Sequence, residues 1–461
     1  MVFSSLHFLY LFLPAVLLLH RLVPQRWKNP VLLAASVYFY AWGEPVYVGL
    51  MLFSVAWNYL TGLQLGAAAS PAKRRRVLAG ALAVNLGVLG FFKYYGFLVD
   101  ALNGALGLRL PNYQLPLPIG ISFYTFQALS YVIDVYRGKA KPQRSLADFA
   151  TYITMFPQLV AGPIVKYTDI EAQLQRRSAS LAQCGQGMER VTIGLCKKVL
   201  LANNLGLVYD AVRAASGRSV LSAWLGAAAY ALQIYFDFSG YSDMAIGMGR
   251  MLGFSFAENF DYPYQSRSVT EFWRRWHISL SGWFRDYVYI PLGGNRVGVG
   301  RHILNLLVVW MLTGLWHGAS WNFVVWGLYY GLLLILEKYL TGKAMAKLPA
   351  GAARAVTLLL VTVGWVIFSN TDFAAMGAYL GNLVGIGAAS FADAAFLYAL
   401  KSNLVLFALA ALCCGPGLRR WQLRLTGKLP AASVALFAAL LAVCTAYLVH
   451  GSYNPFLYFR F

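Results

Sequence analysis

Apolar stretches of about 18 residues or more recur along nearly the whole of this 461-residue chain, separated by short basic blocks. A stretch of that length in lipid has no water to satisfy its backbone, so it must close its own hydrogen bonds as a helix. Charged residues make up 12% of the chain, roughly half of the ~25% usual in soluble domains. The reading is an all-α polytopic membrane protein with about 11–13 transmembrane helices and additional re-entrant or interfacial helices. The 5–22 stretch lacks an A-x-A-like cleavage site and leads straight into further apolar segments. It therefore reads as a first spanning helix rather than a removable signal peptide.

The net charge of +21 does not point to nucleic acid. The cations lie in blocks at 21–28, 73–76, 137–144, 267–301, 343–354 and 419–428, as cytoplasmic loops facing anionic lipid headgroups require. Placing all six blocks in the cytoplasm sets the spans at 5–20, 29–43, 45–66, 77–98, 117–136, 187–212, 220–250, 303–316, 319–340, 355–371, 397–415 and 431–449. The stretch 149–165 is short and broken by Pro157 and Pro163, so it reads as re-entrant or interfacial. The chain is expected to form one membrane domain over 1–461, with a cytoplasmic interfacial segment at 267–301 and an extracytoplasmic tail at 450–461. Cys184, Cys196, Cys413, Cys414 and Cys444 show no metal-ligand spacing. They read as small buried hydrophobes, and no metal site is expected.

Two histidines stand out. His277 and His317 each sit among tryptophan, arginine and glycine, whereas His7, His20, His302 and His450 have plainer surroundings. A histidine ending a strongly apolar helix is a costly placement and reads as functional. A helix over 303–316 climbs about 21 Å from the cytoplasmic side, less than the ~30 Å hydrocarbon thickness, which sets His317 deep in the bundle. Gly314 and Gly318 bracket it, letting another chain or a ligand approach closely. A neutral imidazole there can take the proton of a hydroxyl attacking a thioester. The bland alternative is a core histidine satisfied by a carbonyl, and for His277 an orienting or hydrogen-bonding role.

Around His277, Trp273, Trp276, Trp283 and Phe284 alternate with Arg274, Arg275, Arg285 and Asp286. Such a segment is either an interfacial anchor with its aromatics at the headgroups or the wall of a cytoplasmic entrance. In the second case its arginines attract a phosphate-bearing donor, and a coenzyme A thioester fits, although no P-loop or GxGxxG pattern is present. Trp273, Arg274, Arg275, Trp276, Arg285, Trp316 and Asn322 are the expected substrate contacts. Asp237, Ser239 and Asp243 form a third polar group inside an apolar segment. Intramembrane carboxylates need cations nearby, and the arginines of 267–296 are the expected partners; a proton-coupled transporter would also use such acids.

Pro118–Gln127, Phe156–Ile164, Asp237–Asp243 and the two histidine runs together resemble the membrane-bound O-acyltransferase family, in its bacterial alginate-acetylating branch. The resemblance implies a many-helix fold around a tunnel, His317 as the catalytic histidine and His277 at the family's second polar position. It also implies acetyl-coenzyme A as a cytoplasmic donor co-substrate with no bound cofactor, and an acceptor hydroxyl of an envelope polysaccharide on the far side. The expected location is the bacterial inner membrane, multi-pass. The implied partners are an extracytoplasmic serine-hydrolase-type (SGNH) transferase and a polysaccharide export or synthase complex. The alternatives are D-alanyl transfer to teichoic acid from a carrier-protein thioester, and a non-enzymatic acyl or lipid transporter. The tail over 454–461 resembles the aromatic C-terminal motif of bacterial envelope acylation systems, which makes Tyr458 a candidate acyl relay; an aromatic belt anchor is the plainer reading.

Overall fold

Local sequence punctuation sets most helix boundaries in the computed structural model, which describes residues 1–113, 115–215, 217–451 and 456–457. Helix makes up 77% of the chain, and no strand occurs among the described residues. The chain packs as two compact units: Met1–Val191 with Ser242–Glu258, and Thr192–Tyr241 with Asn259 onward.

In the first unit, α1 (Phe8–Leu22), α2 (Gln25–Gly43) and α3 (Val48–Ala67) follow one another, with the turn at Gly43-Glu44-Pro45 where expected. The helix α4 (Pro71–Leu106) starts at a Ser70 cap that accepts from the Lys73 amide at 3.2 Å, with proline in its first turn, and stops at left-handed Gly107. Its 36 residues run about 54 Å, well beyond the expected 77–98. Next come α5 (Ile121–Tyr136), α6 (Leu146–Thr154), α7 (Phe156–Leu159) and α8 (Tyr167–Gln175). The α6–α7 break at Met155 keeps both helices too short to span, and from Phe149 to Leu159 they are buried in protein, as irregular backbone at membrane depth must be.

Two helices run through both units: α9 (Leu181–Ala214) and α10 (Val220–Met251). Within the first unit, a Cβ on Gly247 would lie 2.6 Å from the Gly187 carbonyl oxygen, so only glycine permits this close antiparallel approach. That approach decides the partners of the α10 acids. Arg190 of α9 bonds Asp243 at 2.8 Å and also Glu258. Within the second unit, Lys198 bonds Asp237 at 2.6 Å. The carboxylates are thus paired as expected, but by α9 rather than by arginines of 267–296. Ser239 is buried, and its hydroxyl has no hydrogen-bond partner among the described residues.

The second unit continues with α11 (Val269–Arg275), α12 (Ile278–Phe284), α13 (Val299–His317), α14 (Trp321–Lys347) and α15 (Ala350–Ser369). The last helices are α16 (Phe373–Leu383), α17 (Ala394–Ser402), α18 (Leu404–Cys413), α19 (Gly417–Lys428) and α20 (Pro430–His450). Seven of the described helices are long and apolar enough to cross a membrane (α3, α4, α9, α13, α14, α15 and α20), or eight if the α17–α18 pair, bent by 60°, is one span. The other expected crossings fall on helices that are shorter, such as the 16-residue α5, or interrupted by charge, such as α10 with Asp237 and Asp243. The expected 303–316 helix starts earlier, at Val299, so it rises about 27 Å to its last residue, His317.

Candidate active site

The site is built where α11 and α12 meet the α13–α14 hairpin. A Cβ on Gly314 would lie 2.1 Å from the Phe323 carbonyl oxygen, and one on Gly327 2.3 Å from that of Trp310. Glycine at both positions lets α13 and α14 touch backbone to backbone. A Cβ on Gly318 would meet the Phe323 ring. The glycines bracketing His317 therefore admit the next helix of the same chain, not a ligand. With α14 held so close, His317 lies edge-on to Trp316, Trp326 and Phe368 at ring distances of 5.1, 5.1 and 5.4 Å.

His277 occupies the break between α11 and α12. Its φ of +45° places a non-glycine residue in the left-handed region, a conformation that costs on the order of 1–2 kcal/mol. Asn259, fully buried, holds it there. The Asn259 Oδ1 accepts from the Ser279 amide at 3.2 Å and the Ser279 hydroxyl at 2.9 Å, and lies 3.1 Å from His277 Nδ1, while the Asn259 carbonyl accepts from the Ile278 amide at 3.0 Å. Because an amide N–H donates to the same side-chain atom, that atom is the oxygen, so Nδ1 carries the imidazole proton and Nε2 the lone pair. Burial, and then the nearby His317, hold this imidazole well below its ordinary pKa, so it is neutral at physiological pH. The His277 ring packs at 90° on Phe238, 4.6 Å away, and 5.9 Å from Trp316.

His277 and His317 line one cavity of about 830 Å³, together with Trp273, Arg274, Arg285, Trp310 and Thr313, a volume within the range of small-molecule sites. The Trp273 indole N–H is buried with no hydrogen-bond partner among the described residues. The other expected contacts point elsewhere. Trp276 packs into the core, tilted against Trp365 at 4.8 Å and edge-on to Phe260 at 5.1 Å. Arg275 is held by Glu271 at 2.9 Å and Asp261 at 3.2 Å. The Asn322 amide donates to the Phe368 carbonyl at 2.9 Å, tying α14 to α15, and Trp316 braces both histidines from behind rather than lining the space. Trp273, Trp276 and Trp283 are buried in protein, so the segment builds a wall and does not set these aromatics among headgroups. Arg285 lines the cavity while paired with Asp286 at 2.8 Å.

Two residues escaped sequence reasoning. Asn259 lies in an unremarkable loop. His302 has plain sequence surroundings, yet it is buried, lines the same cavity, and sits 2.8 Å from each of the Tyr289 and Tyr339 hydroxyls and 3.2 Å from Lys338 Nζ. Its position fifteen residues before His317 on α13, about four helical turns, was the available signal. Tyr458 lies outside the described residues.

Residues 143–369 match the MBOAT, membrane-bound O-acyltransferase family. The chain is 46% identical to a probable alginate O-acetylase of Pseudomonas syringae pv. tomato, over 84% of this chain and 76% of that one. It belongs to the MBOAT family. It is also 31% identical to a peptidoglycan O-acetyltransferase of Helicobacter pylori, over 88% of this chain and 85% of that one. A teichoic acid D-alanyltransferase of Bacillus subtilis is 29% identical over 57% of this chain and 71% of its own. As an MBOAT the chain is an O-acyltransferase and a multi-pass membrane protein, which removes the non-enzymatic transporter reading.

Proposed function

We propose that this MBOAT moves an acetyl group from acetyl-coenzyme A to hydroxyls of an extracytoplasmic polysaccharide, from the bacterial inner membrane. A single membrane domain over 1–461 carries the reaction. The observation behind this reading is that His277 and His317, forty residues apart in sequence, line one cavity with Arg274 and Arg285. The His317 imidazole takes the proton of an attacking hydroxyl, the new C–O bond forms at the thioester carbonyl, and the C–S bond breaks. The proton then passes from the imidazolium to the departing thiolate, leaving free coenzyme A. His277 has its lone pair on Nε2, so it accepts a hydrogen bond from a substrate donor other than the attacking O–H, whose one proton goes to His317, and it does not donate to an oxyanion. The Trp273 N–H supplies a donor, and Arg274 attracts donor phosphates.

Acetyl rather than D-alanyl transfer is favoured by the higher identity to acetylating relatives over more of the chain. An extracytoplasmic SGNH-type transferase and a polysaccharide export or synthase complex would complete delivery, with Tyr458 as the acyl relay that attacks the thioester beside His317 and presents the acetyl group to that transferase. Purified protein given labelled acetyl-coenzyme A should release coenzyme A, and His317→Ala should lower that rate by about 10² to 10⁴. A fully active, well-folded alanine variant would remove His317 from the chemistry, and unaltered polymer acetylation by Tyr458→Phe would remove the relay.

A further inference from the structure

The Lys198–Asp237 pair does more than neutralise a buried carboxylate. Both side chains are almost fully enclosed, at 4% and 3% exposure, and Nζ meets Oδ1 at 2.6 Å. The second carboxylate oxygen is used as well: Oδ2 accepts the backbone N–H of Leu457 at 2.7 Å, from a segment 220 residues further along the chain. The neighbouring Phe456 ring is fully buried. It lies 4.9 Å from Lys198 Nζ and edge-on to the Tyr241 ring, also at 4.9 Å. Asp237 and Tyr241 are one turn apart on α10, and Gly240 between them keeps α9 close, since a Cβ there would lie 2.7 Å from the Gly194 carbonyl oxygen.

One turn of α10, facing α9, thus offers three complementary groups: an anionic acceptor for a backbone amide, a cation over an aromatic face and a ring edge. A pair that served only to join α9 to α10 would need none of the second-oxygen contact. The residue after Asp237 is Phe238, whose ring packs on His277. The receptor therefore shares its helical turn with the support of a cavity-lining histidine.

We propose that Lys198, Asp237 and Tyr241 form a docking site for the chain's own segment after α20, seating Phe456 and the Leu457 amide, and that this docking positions the segment for acyl transfer. The docking stands on its own geometry; its consequence for transfer rests on the function proposed above. Withdrawal of the segment would take the Leu457 N–H away from a buried carboxylate oxygen, which favours the docked state.

Two neutral double variants of the full-length protein separate docking from a purely structural ion pair. Neither leaves a lone buried charge, which single substitution would. Lys198→Met with Asp237→Asn keeps an acceptor for the Leu457 amide; Lys198→Met with Asp237→Leu removes it. Hydrogen–deuterium exchange of the peptide containing Leu457 should stay slow in the first and speed up by about tenfold or more in the second. Polymer acetylation should fall in the second and be retained in the first. Phe456→Ala, which leaves the ion pair intact, should also speed exchange. Unchanged exchange in the leucine variant, or equal loss of protection in both double variants, would overturn the docking. A freed segment with full acetyl transfer would overturn its positioning role. Wild-type protein with a protected Leu457 amide and no acetyl transfer would support the docking and overturn the proposed function instead.

Discussion

Replacing Asn259 tests the logic of the site most directly, because one side-chain oxygen holds the His277 turn. Asn259→Ala removes the acceptor of His277 Nδ1–H, the Ser279 amide and the Ser279 hydroxyl. The hydroxyl can rotate to a new partner, but the amide and the ring N–H are fixed by a backbone already in the left-handed region. Two stranded buried donors at ~1–3 kcal/mol each, partly relieved by relaxation, lower the unfolding free energy by about 3 kcal/mol. A denaturation titration in detergent reads this. Asn259→Asp keeps the acceptor but makes it anionic at 3.1 Å from Nδ1. In the wild type, burial and then His317 depress the His277 pKa. The neutral ring therefore contributes stability that is complete above the ordinary ~6.5 and is lost as pH falls toward the folded value. A carboxylate at that distance favours the imidazolium and raises the pKa. The acid limb of kcat/KM for coenzyme A release should then move upward in pH. Superimposable pH profiles for the wild type and Asn259→Asp, with both proteins folded, would refute a neutral His277 held through Nδ1.

His277→Asn should fold better than His277→Ala, since asparagine tolerates the left-handed conformation, yet both should lose activity equally if the imidazole itself is needed; parallel stability and rate measurements check this. Arg274→Ala should raise KM for the donor with little change in kcat, while Arg275→Ala, which breaks contacts to Glu271 and Asp261, should leave KM unaltered and lower stability by under about 1 kcal/mol. Gly314→Ala sets a methyl against the Phe323 carbonyl and should cost about 1–3 kcal/mol while displacing His317 from α14, seen as a fall in kcat together with a lowered unfolding midpoint.

The sequence by itself determined the solvent and the secondary structure. Long apolar runs and sparse charge leave a helix as the one way to satisfy the backbone in lipid, and the Gly43-Glu44-Pro45 turn and the Pro157 break fell where local chemistry put them. The cost of a histidine at the end of an apolar helix singled out His317 before any neighbour was known. Tertiary structure decided which helix each polar group meets. Asp237 and Asp243 demanded cations, but periodicity says nothing about which helix lies beside α10; the glycine contact with α9 brought Lys198 and Arg190 and excluded the nearer-looking arginines of 267–296. Alternating tryptophan and arginine at 272–285 is equally consistent with lipid headgroups and a protein wall. Only the packing of α11 and α12 on α13–α15 turned Trp273 and Trp276 inward, left Arg274 at the cavity and tied up Arg275. Asn259 carries no local signal, and His302 only its helical spacing to His317, because their importance lies in contacts made at sequence separations of 13 to 37, and such contacts exist only once the helices have chosen their neighbours.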